Sequence, residues 1–182
     1  RQGDFDCLKA AVDLAGDESL FDASRYERAL RRASDAGLYV TVHAGEGSDA
    51  SHVIEAVTRL RADRIGHGVS AATSPEAMAL LSDTGVAVEI CLSSNLHTGA
   101  VSSLSKHPLG ALSKAGVPVV ICTDNRFFSE TTLSSEYEIA ASEGGVGRDV
   151  TEGSILAGAE HAFLPAGERE RLRSVYEASL GG

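Results

Sequence analysis

Short, almost continuously apolar runs alternate along this chain with longer amphipathic stretches, and that alternation constrains the fold more than any other feature. The runs fall at 8–14, 38–43, 64–66, 86–92 and 118–123. Strands covered on both faces read this way, because neither face has to meet water. Helix-like stretches lie between them at 24–36, 50–60, 75–84 and 108–115. Gly37, Gly85 and Gly116 each follow such a stretch, where a left-handed residue closes a helix. Pro75 and Pro108 stand at or near a first turn, where a missing N–H costs little. From about Glu130 onward the pattern is helical, at 130–142, 150–163 and 165–180. A β-α-β-α order predicts a parallel sheet with right-handed crossovers. A closed eight-stranded barrel takes about 250 residues, so five strands in this chain predict a partial (β/α)8 TIM barrel with a helical C-terminal tail.

The whole of 1–182 reads as one incomplete barrel domain with N-terminal strands missing; no linker or second domain interrupts it. The chain opens on Arg1 and its only methionine is Met78, so an upstream piece is expected. Five strands of a barrel leave two open sheet edges, and the piece alone is expected to aggregate, to dimerise or to need its missing part.

Lys plus Arg number 16 against 26 for Asp plus Glu, a net charge of −10. Such a chain is a poor binder of polyanions, so no nucleic-acid partner is expected, while a small uncharged nucleoside is allowed. No apolar run reaches the roughly 18 residues of a membrane span and no signal peptide is visible, so no membrane partner is expected. Cys7, Cys91 and Cys122 form no CxxC pair, and Cys91 and Cys122 sit in apolar runs. Buried reduced thiols follow, and with them a cytoplasmic home.

In a parallel barrel the chemistry gathers where strands end. Here those ends read Asp13-Leu14-Ala15-Gly16-Asp17-Glu18, His43-Ala44-Gly45-Glu46, Gly66-His67-Gly68, Ser93-Ser94-Asn95 and Thr123-Asp124-Asn125. Two imidazoles and several carboxylates on one rim is the composition of a mononuclear metal hydrolase. His43 follows an apolar run and is read as a metal ligand, of the neutral imidazole type zinc takes; a hydrogen-bonded structural histidine is the alternative. Glu46 is either a proton donor on the rim or an acid at the start of the next helix. His67 stands between two glycines that give its ring room; a turn histidine is the competing reading. Asp124 either caps the next helix or completes a metal shell. His97 is a weaker pocket candidate and His107 a helix-start residue, while His52 and His161 fall on predicted helices with solvated or packing roles.

Taken in order, DLAGDE (13–18), TVHAGEG (41–47), RIGHGV (64–69), EICLSSNLHTGAV (89–101), HPLGALSKAGVPV (107–119) and CTDN (122–125) resemble the adenosine deaminase family of metal-dependent hydrolases, over most of positions 10–140. The resemblance implies about five C-terminal β/α units of the barrel. It implies that His43 and Asp124 ligate one Zn2+ per complete site, with Asp124 also contacting the attacking water. His67 would orient that water and help deprotonate it. Glu46 would protonate purine N1 as hydroxide attacks C6, and Gly16 would contact N3 through its backbone. The implied reaction is hydrolytic deamination of adenosine to inosine, a step of purine metabolism.

Two departures qualify the resemblance. Where the family commonly has a second Asp facing purine N7, this chain has Asn125, whose amide can donate to that nitrogen. The family's His-x-His pair is absent, leaving two of four protein ligands, so the chain alone is expected to be inactive. A missing N-terminal barrel segment, or another chain supplying it, is the implied partner beside the purine nucleoside. Alternative readings are a deaminase of another 6-aminopurine compound, such as adenine or aminodeoxyfutalosine, and a non-catalytic barrel piece acting in binding or assembly. The cytidine-type deaminases are excluded because neither H-x-E nor P-C-x-x-C occurs.

Overall fold

The computed structural model describes residues 11–181. The first predicted run is seen as β1 (Ala11–Leu14), with 8–10 and Cys7 outside the described residues. It is followed by α1 (Glu27–Asp35), β2 (Tyr39–Ala44), α2 (Ala50–Thr58), β3 (Arg64–His67), α3 (Pro75–Thr84) and β4 (Ala87–Ile90). Then come α4 (Leu92–His97), α5 (Leu109–Lys114), β5 (Val119–Ile121), α6 (Arg126–Ser129), α7 (Leu133–Ser142), α8 (Arg148–Glu160) and α9 (Ala166–Leu180). The strands form one parallel sheet in the order β1-β2-β3-β4-β5. This is part of an α/β barrel, as the alternation predicts. Among the described residues β1 pairs only with β2, and β5 only with β4.

Local chemistry sets the helix ends. Ser74 caps α3 by accepting from Ala77 N at 3.2 Å, Pro75 occupies the first turn, and Gly85 closes the helix at φ 68°. Asp49 caps α2 by accepting from Ser51 N at 2.8 Å. Thr132 and Ser135 cap each other's backbone N–H groups at the start of α7.

The core lies between the sheet and its helices. Val40, Val42, Ile65, Val88 and Ile90 of the strands pack with Val53, Ala56, Leu60, Leu81, Leu109 and Leu112 of the crossovers, all fully buried. Each of these leucines contributes roughly 2–3 kcal/mol by leaving water. α9 carries no buried residue and is tied to α8 by the Arg173 pair with Glu160, while Arg173 also pairs with Glu177 within α9.

The apolar run at 86–92 was expected to be all strand, but β4 stops at Ile90 and Leu92 already opens α4. Hydropathy cannot see that break, because a buried strand and a buried helical turn are equally apolar. The helix expected at 24–36 begins as a 3-10 turn, Ala23–Tyr26, and the one at 130–142 starts at Leu133 as α7, with the short α6 standing ahead of it.

Candidate active site

The parallel register brings the C-terminal ends of β2 and β3 side by side, pairing His43 with Gly66 and Ala44 with His67. Gly66 leaves the space into which the His43 ring fits: a β-carbon there would lie 2.7 Å from His43 Cδ2. The room that the glycines of Gly66-His67-Gly68 provide on this side therefore serves His43. Gly68 is needed for another reason, since it turns at φ 58° and a β-carbon would meet Val88 Cγ1 at 2.6 Å. Gly45 bends the β2 loop at φ 83°, packed against Ser70 and Val53.

His67 is 2% exposed, and its Nε2 lies 3.1 Å from His43 Nδ1. Its Nδ1 lies 3.3 Å from Glu46 Oε1. Burial lowers the His67 pKa, opposed by the Glu46 charge and reinforced by His43, so the ring is held neutral at physiological pH. His67 and Asp124 both take positive φ, at 65° and 53°, a strained setting that the surrounding structure must enforce. Asp124 is exposed and accepts from Ser94 Oγ at 2.6 Å. Its charge acts on His67 together with those of Glu46 and Glu18.

Several alternatives from the sequence are resolved by position. Glu46 does not cap α2, since Asp49 does; Glu46 turns to Asn95, whose Nδ2 donates to Oε1 at 2.8 Å. Asp124 does not cap α6, since Asn125 does, its Oδ1 accepting from Phe127 N and Phe128 N at 3.1 and 3.3 Å. That use of Oδ1 leaves the Asn125 Nδ2 hydrogens as the end available to a ligand. Gly16 lines a cavity of roughly 190 Å³ with Leu14, Ala15, Phe21, His43 and His52. A β-carbon on Gly16 would meet nothing within 4 Å. His52, expected to be only solvated or packed, therefore borders this cavity. His97 is exposed at the end of α4. His107 is the helix-start residue expected, its Nδ1 accepting from Leu109 N at 3.1 Å.

Three positions escape sequence reasoning. Glu18 spans from the β1 end to the β2 loop and accepts from Gly45 N at 2.7 Å, Glu46 N at 3.0 Å and Ser48 Oγ. Asn95, fully buried, touches both Glu46 and His67, and its Oδ1 faces His107 Nε2 at 3.2 Å. Thr98 Oγ1 donates to Glu46 Oε1 at 3.0 Å. The only sequence signal was that Glu18 and Asn95 stand at strand ends. His107 is 12 residues from Asn95, and the other partners named for Glu18 and Asn95 lie 27 to 49 residues away.

Catalytic zinc takes three protein ligands and keeps a position for water. Among the described residues no group of three or more His, Cys, Asp or Glu is placed to hold a metal ion. His43 and Asp124 are the donor types zinc accepts. The Nε2 edge of His43 stands 3.7 Å from the exposed Asp13 carboxylate, too far for a hydrogen bond. The described residues therefore supply donor types that zinc accepts, without a group of three placed around one ion.

The family model for adenosine deaminase matches residues 8–178. An adenosine deaminase of Pectobacterium atrosepticum is 37% identical over 163 residues, covering 90% of this chain and 48% of that protein. The chain thus spans about half the length of the curated relatives it matches. An adenine deaminase from Arthrobacter aurescens shares the fold with a TM-score of 0.89 at 24% identity, over 95% of this chain and 53% of its own. An amidohydrolase from Burkholderia ambifaria, solved with bound zinc, does so at 0.87 and 21% identity, over 94% of this chain and 48% of its own.

Proposed function

The chain belongs to the adenosine deaminase family, and from that premise we propose that it carries half of a zinc-dependent active site that deaminates adenosine to inosine. The observations that carry the reading are the contact chain His43–His67–Glu46 at the adjoining ends of β2 and β3, and Asp124, held by Ser94 after β5, whose charge acts on His67. In this reading His43 and Asp124 hold the zinc. The metal, when bound, supplies a water acidified enough to react near neutral pH.

The chain's own residues do the rest. His67, neutral through burial, accepts a proton from the attacking water. Asp124, held by Ser94, orients that water. Glu46 gives a proton to purine N1, so that the ring accepts electrons as C6 becomes tetrahedral, and ammonia departs. The Gly16 backbone faces N3 from the cavity wall, and Asn125 offers its free amide hydrogens to N7. The remaining ligands would come from an N-terminal barrel segment, of the same chain or another, consistent with the half-length match to relatives. The whole of 1–182 then acts as one incomplete barrel domain. In this reading the protein is a cytoplasmic enzyme of purine metabolism.

Adenine is the second reading. It is favoured by Asn125 in place of the second Asp. The test is to load the complete protein with zinc and supply adenosine, adenine and aminodeoxyfutalosine separately, following ammonia release. The proposal expects adenosine to be turned over fastest and Glu46→Gln to abolish turnover. A zinc-loaded protein that leaves all three untouched contradicts it.

A further inference from the structure

We propose that Asn95, locked in place by His107, is the positioning residue that decides which oxygen of Glu46 delivers its proton. The inference rests on the acid role given to Glu46 above and adds the residues that aim it.

The lock is legible from one end to the other. Leu109 N donates to His107 Nδ1 at 3.1 Å, so that nitrogen carries no hydrogen in the neutral ring. The hydrogen is then on Nε2, which faces Asn95 Oδ1 at 3.2 Å and donates to it. Burial keeps His107 neutral, with its pKa lowered to about 4. With Oδ1 fixed as the accepting end, the NH2 end of the amide points the other way. Its nitrogen lies 2.8 Å from Glu46 Oε1 and 3.0 Å from His67 Nδ1. Asn95 is fully buried and His107 is 7% exposed, so water does not compete for these bonds.

Glu46 Oε1 also accepts from Thr98 Oγ1 at 3.0 Å. Two donors occupy Oε1, so a proton on this carboxyl rides on Oε2. In the transfer the Oε2–H bond breaks, an N–H bond forms on the purine ring, and the carboxylate left behind keeps its charge on an Oε1 already stabilised by two donors. Asn95 thus serves the acid before and after the transfer without touching the substrate.

The experiment uses the complete zinc-loaded protein and four variants: Asn95→Asp, Asn95→Leu, His107→Gln and His107→Leu. Asn95→Asp still accepts from His107 but turns an oxygen toward Glu46. It is expected to lower kcat by about a hundredfold while KM moves less than about threefold, a loss within the range general acid catalysis supplies. Asn95→Leu is expected to do the same. His107→Gln retains an N–H for Asn95 and is expected to keep kcat within about fivefold, whereas His107→Leu falls with the Asn95 variants. Nitrogen-15 spectra of the unsubstituted protein should show His107 with its hydrogen on Nε2 and none on Nδ1 at neutral pH. Asn95→Asp at full kcat, or a His107 hydrogen on Nδ1, overturns the proposal. If the complete protein deaminates no aminopurine, the functional reading fails, while the His107 spectrum still decides whether the amide is locked as described. Should the leucine variants not fold, Asn95→Asp and His107→Gln carry the test.

Discussion

The His43 ring lies so close over Gly66 that a β-carbon added to the glycine would stand 2.7 Å from Cδ2. Strand register creates this contact, because His43 and Gly66 are direct partners across β2 and β3. A single methyl group at position 66 must therefore displace the imidazole or spread the strands. Gly66→Ala is expected to cost about 1–3 kcal/mol of stability by overpacking. It should also weaken zinc binding by about 10- to 100-fold, as disturbed ligand orientation does. Denaturant unfolding and chelator competition on the complete protein measure the two effects.

Glu18 ties the β1 end to the loop that carries Glu46, through Gly45 N, Glu46 N and Ser48 Oγ. Glu18→Gln leaves a neutral oxygen and an NH2 group that cannot accept. The expected loss is about 1–3 kcal/mol, the scale for hydrogen bonds to a charged acceptor. Turnover should fall with it as the loop loosens, which steady-state kinetics and a urea series together would register.

His107 gives a pH dependence with a definite sign. Its folded pKa is lowered from 6.5 to about 4 by burial, so the unfolded chain binds the proton more readily. The stability this represents is present in full above about pH 6.5 and is lost as pH falls toward 4, by on the order of 3 kcal/mol. His67 is shifted the same way and adds to the slope. Urea unfolding of His107→Gln across that window should be flatter than that of the unsubstituted protein. An identical slope would contradict the assignment.

Burial pushes the Cys122 thiol up to about 12 and Cys91 higher still. Neither forms thiolate at pH 8, so both should resist iodoacetamide in the native protein and react in denaturant. Mass spectrometry of the labelled peptides reads this directly.

Much of this was legible in the sequence because strand ends in a parallel sheet are fixed points. Once 38–43, 64–66 and 118–123 are read as strands, His43, His67 and Asp124 fall on one rim, and Gly45 marks the bend before Glu46. The supporting contacts were not legible. Asn95 looked like a residue trailing a strand, yet the chain had already turned into α4, because Cys91-Leu92 is as apolar as the strand before it. Glu18 and Asn95 act on residues tens of positions away, and only the side-by-side pairing of the strands brings them there. Asp124 and Asn125 could each have capped α6 by composition; the positive φ of Asp124 turns its side chain to Ser94 and leaves the cap to Asn125.

The central claim is that His43 and Asp124 serve one metal beside Glu46 and His67. Anomalous scattering at the zinc edge, from crystals of the complete protein, tests it most directly. A single zinc peak bonded to both the His43 imidazole and the Asp124 carboxylate is the predicted result. A peak elsewhere, or one that persists unchanged in a His43→Ala, Asp124→Ala double variant, would contradict the account.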